Sequence, residues 1–303
     1  MSSEQISALA VDIGGTKMAF ATLKGDDLAV HDRFSTPQDP EDAAGLIVQA
    51  ARKQGNIAAI GIGAPGPLDA EKGVFLTPPN LPGWQGYPLA AGIEAELGLP
   101  VRLENDANLG ALGEAVYGSG RGMKSIFYLT ISTGIGSGLI IDGTIHSGRN
   151  GMAGELWAFQ PSHFNGGADG PTIMDLSSGP GLLRRARQRL ASGRESALGE
   201  ENLDMKGLLR AALDGDAVAV ETLEEGRDAI AAMLVAVIEI AAPDAVVLGG
   251  GLCGDVRWYV EPVCHRIRSW VKIPLLAQTP VRRARLWDDA VLYGAGVLAG
   301  ISS

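Results

Sequence analysis

Cysteine is nearly absent from this sequence: the 303 residues hold two, Cys253 and Cys264. A stabilising disulfide framework is therefore not expected, and a reducing, cytoplasmic setting is. Aromatic residues are only 5% of the chain while hydrophobic residues are 46%, so the core has to be built from Ala, Val, Leu and Ile. No apolar run reaches the roughly 20 residues a membrane helix needs; the longest, Ala229 to Ile238, is far too short. The polar start around Glu4 argues against a signal peptide. Basic residues are in the minority, with Lys and Arg totalling 25 against 35 Asp and Glu, for a net charge of −10. A nucleic-acid surface needs the opposite balance.

Glycine is plentiful, with 42 residues. That is too many for plain packing and too irregular for collagen, so turns that let backbone approach something closely are expected. One such turn lies in "LAVDIGGTKMAFATLKG", Leu9 to Gly25. Strands are expected at Leu9–Ile13, Lys17–Leu23 and Leu28–Phe34, followed by a helix from about Glu41 to Gln54 and a strand at Ile57–Gly63. After the Pro- and Gly-rich loop from Pro65 to Gly86 come a helix at Leu89–Leu97, a strand at Val101–Leu103 and a helix at Ala107–Tyr117. "GSGRG", Gly118 to Gly122, reads as a linker. The opening pattern then returns in "IFYLTISTGIGSGLIIDG", Ile126 to Gly143. Helices follow near Gly181–Ala191, Met205–Leu213 and Val218–Ala241, then a strand at Ala245–Leu248. The chain ends with helical spacing at Trp258–Val271, a strand at Val281–Leu286, and a helix at Asp288–Leu298 capped by Asp288. This alternation means an α/β fold, and the repeated opening suggests two related halves. One lobe is expected over residues 1–117, rejoined by the C-terminal helix within 288–303; the other spans 118–287.

Gly-rich turns bare successive backbone N–H groups, which bind phosphate oxygens. In the first turn, Gly14, Gly15, Thr16 and Lys17, the hydroxyl can donate, and the ammonium can add charge or simply reach solvent. Asp12 would repel phosphate unless a divalent cation lies between them, so it points to Mg²⁺, held indirectly. Thr133 and Gly134 would hold phosphates from the opposite side. No Walker A loop is present. "GIGAPG", Gly61 to Gly66, matches the dinucleotide fingerprint, but Pro65 and Pro67 interrupt the helix that would have to open there; lining for a polar ligand fits better. "LENDAN", Leu103 to Asn108, ends a strand and opens a helix. Asp106 could cap that helix, or serve as a general base at a strand tip with Asn105 holding an alcohol acceptor, as phosphoryl transfer requires.

"VDIGGTK", "GAPGPLD", "NLPGW", "LENDAN", "STGIGSG", "GELW" and "VVLGGGL" together resemble the ROK family (repressor, open reading frame, kinase) from about Leu9 to Leu298. The resemblance implies an actin-like two-lobed fold with duplicated RNase-H-like domains and an interlobe active-site cleft. It implies a sugar kinase using ATP and Mg²⁺, most simply of hexokinase or glucokinase type, that transfers the γ-phosphoryl group to a hexose 6-hydroxyl, and it implies a homodimer. The alternatives are a kinase for an N-acetylhexosamine, mannose or fructose, or a sugar-binding regulatory protein with weak turnover. Repressor relatives carry a DNA-binding module before the phosphate loop; only eight residues precede Leu9, so DNA binding is not expected. Whether ATP or polyphosphate is the donor stays open.

Carried over position by position, Asp106 resembles the catalytic base and Asn105 its neighbour on the sugar. Gly66, Asn80 and Glu155 resemble sugar-pocket positions. Gly14, Gly15, Thr16 and Lys17 resemble one phosphate loop, and Thr133 with Gly134 the other. Gly250 and Gly251 resemble the turn beside the nucleoside, although such a run could merely end a strand. Many members follow Gly-Glu with x-Gly-His and a cysteine cluster that bind structural zinc. Here Trp157 and Ala158 stand at the Gly and His positions, Met174 replaces a sugar-contacting Glu, and no Cys follows. No zinc site is expected, His163 reads as a surface residue, and Trp157 with Phe159 could hold the segment by burial unless Trp157 is exposed.

Overall fold

The computed structural model describes residues 7–78, 80–161, 170–254 and 256–300. The first half runs β1 (Ser7–Ile13), β2 (Lys17–Lys24), β3 (Asp27–Ser35), α1 (Pro40–Gln54), β4 (Ile57–Ala64), β5 (Leu68–Asp69), β6 (Val74–Phe75), α2 (Leu89–Leu97), β7 (Val101–Asn105) and α3 (Asp106–Val116). Next come β8 (Ile126–Ile131), β9 (Ile135–Ile141), β10 (Thr144–Ile145), α4 (Ile173–Ser177), α5 (Gly179–Ala191), α6 (Met205–Leu213) and α7 (Ala217–Ala241). The chain closes with β11 (Ala245–Gly249), α8 (Glu261–Trp270), β12 (Val281–Arg283) and α9 (Ala290–Leu298).

Two five-stranded sheets share one permutation. The first has the order β3-β2-β1-β4-β7 and the second β10-β9-β8-β11-β12. Counted along the chain with the small β5–β6 hairpin set aside, each is third-second-first-fourth-fifth, so the duplication read from the two hairpins extends to whole sheets. In the first sheet β1 pairs antiparallel with β2 and parallel with β4, and β4 pairs parallel with β7. β1 and β4 are almost wholly buried, which is why they read as continuous apolar runs rather than alternating ones.

The chain forms two compact units. One comprises Met1–Tyr128, Gly138–Gly154 and Ala284–Ser303; the other comprises Leu129–Ser137 and Glu155–Arg283. The core of the first gathers Leu9, Val11, Ile13, Ile47, Ile60 and Ile62 around Trp84 and Phe75, whose rings meet edge to face at 5.2 Å. Many of its glycines mark backbone contact. A Cβ on Gly61 of β4 would fall 1.8 Å from the Ala295 carbonyl oxygen, and one on Gly294 of α9 1.9 Å from that of Leu109. α9 thus lies directly against β4 and α3, closer than any larger side chain permits. Buried Glu114 of α3 fastens the approach to α9 by accepting from the N–H groups of Ser119, Arg285 and Leu286 at 2.7 to 2.8 Å.

Three expectations need correction. Asp288 does not cap α9: residues Trp287–Asp289 form a tight turn, and Asp289, the preceding residue, makes no capping bond. The last strand stops at Arg283. "GSGRG" is a folded turn, with Gly120 N–H on the Glu114 carbonyl at 2.8 Å and Met123 N–H on that of Gly120 at 3.0 Å.

Candidate active site

In the first unit the site residues gather at the carboxyl ends of β1, β4 and β7, the edge where open parallel sheets place ligands. Asp12, one residue before the end of β1, pairs with Gly63, and Ala64 of β4 pairs with Asn105 of β7. No helix follows β4; the chain turns through Gly66 into β5, so the fingerprint match at Gly61 to Gly66 is indeed no dinucleotide loop.

The LENDAN segment divides its tasks differently from the sequence reading. Asn105 is the N-cap of α3, its side-chain oxygen accepting from Ala107 and Asn108 N–H at 2.9 and 3.3 Å. The structural role considered for Asp106 therefore belongs to Asn105, and the amide nitrogen of Asn105 is the atom left to meet a ligand. Asp106 is the first residue of the helix, where the N-terminal dipole favours a carboxylate, and accepts from Ala107 N–H at 2.7 Å. Behind them buried Glu104 accepts from Asn105 N–H at 2.8 Å and from the Asn108 amide at 3.0 Å. This buried brace went unnoticed in the sequence, although Glu104 and Asn108 stand four apart there.

Burial first, then the neighbouring Asp106 and Asp288 carboxylates, against the opposing pull of Arg33, push the Asp12 carboxyl from 3.8 up to about 7. Among the described residues no three His, Cys, Asp or Glu side chains gather closely enough to hold a metal ion directly, so a hard divalent cation beside Asp12 would keep water in most of its oxygen positions.

Of the first Gly-rich turn, Gly14 is committed to the fold: its N–H donates to the Lys17 carbonyl at 2.8 Å and its carbonyl accepts from Thr36 Oγ1 at 2.7 Å. Gly15, Thr16 and Lys17 form the exposed tip. A Cβ on Gly15 would lie 3.0 Å from the Cβ of Asn80, so the turn and this sugar-pocket candidate are in contact.

The second unit carries the other candidates. Thr133 and Gly134 form the β8–β9 turn, closed by Ser132 N–H on the Gly134 carbonyl at 2.9 Å and tied to the start of α5 by Gly179 N–H on the Ser132 carbonyl at 2.8 Å. Gly250 adopts φ +84°, and a Cβ there would sit 2.4 Å from the Ile131 carbonyl oxygen, so its glycine is needed by the fold itself. Gly251 borders a largely apolar cavity of about 440 Å³, walled by Thr133, Pro180, Leu183, Leu252 and Trp258 and also lined by Arg227 and Tyr259. This cavity was not foreseen; the available signal was Arg227, an arginine among the apolar positions of α7.

Glu155 is exposed and accepts from the indole N–H of Trp157 at 2.5 Å. Trp157 is 43% exposed, so its burial does not hold the segment. Its ends are instead tied by Ile173 N–H on the Phe159 carbonyl at 2.8 Å and by a reciprocal cap between Thr172 and Asp175. Asp175 also accepts from Arg184 at 2.9 Å. His163 and Asp169 lie outside the described residues.

The chain is similar to known proteins along nearly its whole length. The ROK family profile matches residues 8–301. The chain is similar to a glucokinase of Streptomyces coelicolor, 33% identical over 308 residues and covering 96% of each protein. It is similar to an N-acetyl-D-glucosamine kinase of Photobacterium profundum, 34% identical over 304 residues, with 95% of this chain and 97% of that protein covered. Among solved structures it resembles a ROK family glucokinase from Streptomyces griseus in complex with glucose and AMPPNP, at 30% identity and a TM-score of 0.78, covering 97% of this chain and 99% of that one.

Proposed function

The chain belongs to the ROK family, and from that membership we propose that it is an ATP-dependent glucokinase that phosphorylates the sugar 6-hydroxyl. The observation that carries the proposal is Asp106 at the carboxyl edge of parallel strands, with its neighbour Asn105 locked as the cap of α3. A carboxylate there accepts the hydroxyl proton as the oxygen attacks phosphorus, while the Asn105 amide nitrogen donates to a sugar oxygen. Gly66, Asn80 and Glu155 complete the sugar contacts. Gly15, Thr16 and Lys17 from one turn, and Thr133 with Gly134 from the other, hold phosphate oxygens. Gly14 supports its turn rather than lending an N–H, and Gly250 likewise lets Gly251 border the cavity. Asp12 would hold Mg²⁺ through water, and the ion when bound neutralises charge on the transferring phosphates. An apolar cavity beside Thr133 favours a nucleotide donor over polyphosphate, which has no apolar part to place there. The proposal includes a homodimer in the cytoplasm; light scattering checks the assembly.

A second reading, an N-acetylglucosamine kinase, draws support from the similarity to the Photobacterium profundum enzyme. One assay separates these: coupled ADP release with glucose, mannose, fructose and N-acetylglucosamine, using ATP and polyphosphate in turn. We expect glucose with ATP to give the highest kcat/KM. N-acetylglucosamine leading by tenfold would select the second reading, and no turnover with any sugar would leave a sugar-binding regulator.

A further inference from the structure

The turn from β7 into α3 is closed by a small polar network. One oxygen of Glu104, Oε1, accepts from Asn105 N–H at 2.8 Å and from the Asn108 side-chain amide at 3.0 Å. The Asn105 side-chain oxygen accepts in turn from Ala107 and Asn108 N–H at 2.9 and 3.3 Å. The last residues of the strand and the first turn of the helix are thereby locked to one another, with Asp106 between them in the chain. As a device for stability alone this network is poor. Glu104 is 8% exposed and Asn108 2% exposed, beside the buried apolar residues Ala107, Leu109, Ala111 and Leu112 of α3. Asn108 Oδ1 is buried and has no partner among the described residues. A carboxylate taken out of water needs compensation, and an acceptor left without a hydrogen bond is a standing cost. Replacing both members of such a pair by apolar groups of the same shape is often neutral or stabilising. What the pair adds is a fixed geometry, and the carboxylate carried on that geometry is Asp106.

We propose that Glu104 and Asn108 are positioning residues for phosphoryl transfer: through the β7–α3 turn they hold the Asp106 carboxylate where the acceptor hydroxyl needs it, and so act on kcat rather than on substrate binding. The inference rests on the reading of Asp106 as the base. A general base works only within hydrogen-bond reach of the proton it accepts. A misplacement of about 1 Å at the reacting groups can cost on the order of 10²-fold in rate. Binding of the nucleotide draws on turns elsewhere in the chain, so it tolerates a loosened β7–α3 turn. The accepting oxygen of Glu104 is the essential feature, because both of its hydrogen bonds come from N–H donors. A glutamine at this position keeps that oxygen, whereas a methionine of similar length loses it.

The test uses the full chain with the variants Glu104→Met, Glu104→Gln and Asn108→Ala, the last placing the best helix former in α3. The kcat per folded molecule, the KM for ATP, the calorimetric Kd for glucose and the melting temperature are measured for each. Glu104→Met and Asn108→Ala should lose about 10- to 100-fold in kcat while the KM for ATP and the glucose Kd stay close to wild type. Glu104→Gln should restore kcat to within a few-fold of wild type. A lowered melting temperature with wild-type kcat in the folded Glu104→Met and Asn108→Ala proteins is the mark of a merely structural network and overturns the inference. Glu104→Gln as impaired as Glu104→Met also overturns it, since the accepting oxygen is then not what matters. If Glu104→Met does not fold, Asn108→Ala decides by the same split between kcat and binding. Wild-type turnover in Asp106→Asn removes the base and this inference with it, whereas wild-type kcat in the Glu104 and Asn108 variants removes the inference alone, which distinguishes the two failures.

Discussion

Replacing Asp12 with asparagine should change how stability depends on pH, in a direction opposite to that of most carboxylates. The folded protein holds the Asp12 proton until about pH 7, whereas the ordinary carboxyl value is 3.8. Between these values folding takes up a proton. The stability this provides is complete below pH 4 and is lost as pH rises through 7. A shift of three units is worth about 4 kcal/mol at 1.36 kcal/mol per unit, an upper figure because Asp12 is partly exposed at its strand end. The substituted amide has the same shape and no charge to bury. In metal-free buffer the Asp12→Asn protein should therefore exceed the wild type by about 1 kcal/mol at pH 4.5 and by about 2–4 kcal/mol at pH 8. Urea unfolding at half-unit steps from pH 4.5 to 8.5, with a chelator present, measures the difference directly. Excess Mg²⁺ should close the gap at pH 8 by stabilising only the wild type. A pH-independent difference, or a variant that is less stable at pH 8, would refute the placement of Asp12 among uncompensated carboxylates.

Other outcomes follow from the same geometry. Asp106→Asn should fold normally, bind sugar, and lose about 10²–10⁴ in kcat, the range of a positioned base; turnover within a few-fold of wild type at saturating substrates would remove it from the chemistry. Gly134→Val meets nothing within 4 Å and has no left-handed backbone to strain, so its melting temperature should stay put while its KM for ATP rises at least tenfold. Gly15→Val should differ by disturbing the sugar KM as well, because its Cβ presses on Asn80; an effect on the nucleotide alone would contradict that contact. The purified protein should carry no stoichiometric zinc, since Asp175 is engaged by Thr172 and Arg184 and burial pushes the Cys253 thiol up to about 12. Elemental analysis finding one zinc per chain, lost together with activity on chelation, would reverse this.

Local patterning made the sheet strands and major helices legible. β1 and β4 are apolar throughout because both of their faces are covered, and α1 announces itself with Asp39 as cap, Pro40 at its first position and Gly55 past its end. What one sequence could not reveal was any assignment decided by a distant partner. Asn105 and Asp106 are equally able to cap a helix, and only the fold decides that Asn105 does so. The glycines of β4 and α9 look alike on paper to those of the two hairpin turns proposed to hold phosphate, yet they serve a backbone contact between segments far apart in the chain.

The same ambiguity runs through the candidate site, where glycine can signal a ligand's approach or the protein's own. Gly250 and Gly251 show how the two separate. A side chain at Gly250 would collide with the β8 backbone whether or not any ligand exists, and its φ of +84° already excludes most residues. At Gly251 the nearest atom to an added Cβ is Ser132 Oγ at 3.8 Å, and the space beyond it is the cavity. Space at that position does not demand glycine, so its substitution is the one that tests for a ligand there. The criterion carries over to Gly134, where no atom of the described residues lies within 4 Å of an added Cβ, but not to Gly14, whose N–H and carbonyl are both engaged inside the turn. A glycine that the folded chain could replace without strain, placed at the rim of a cavity or on a phosphate turn, is the one whose substitution reports on binding rather than on stability.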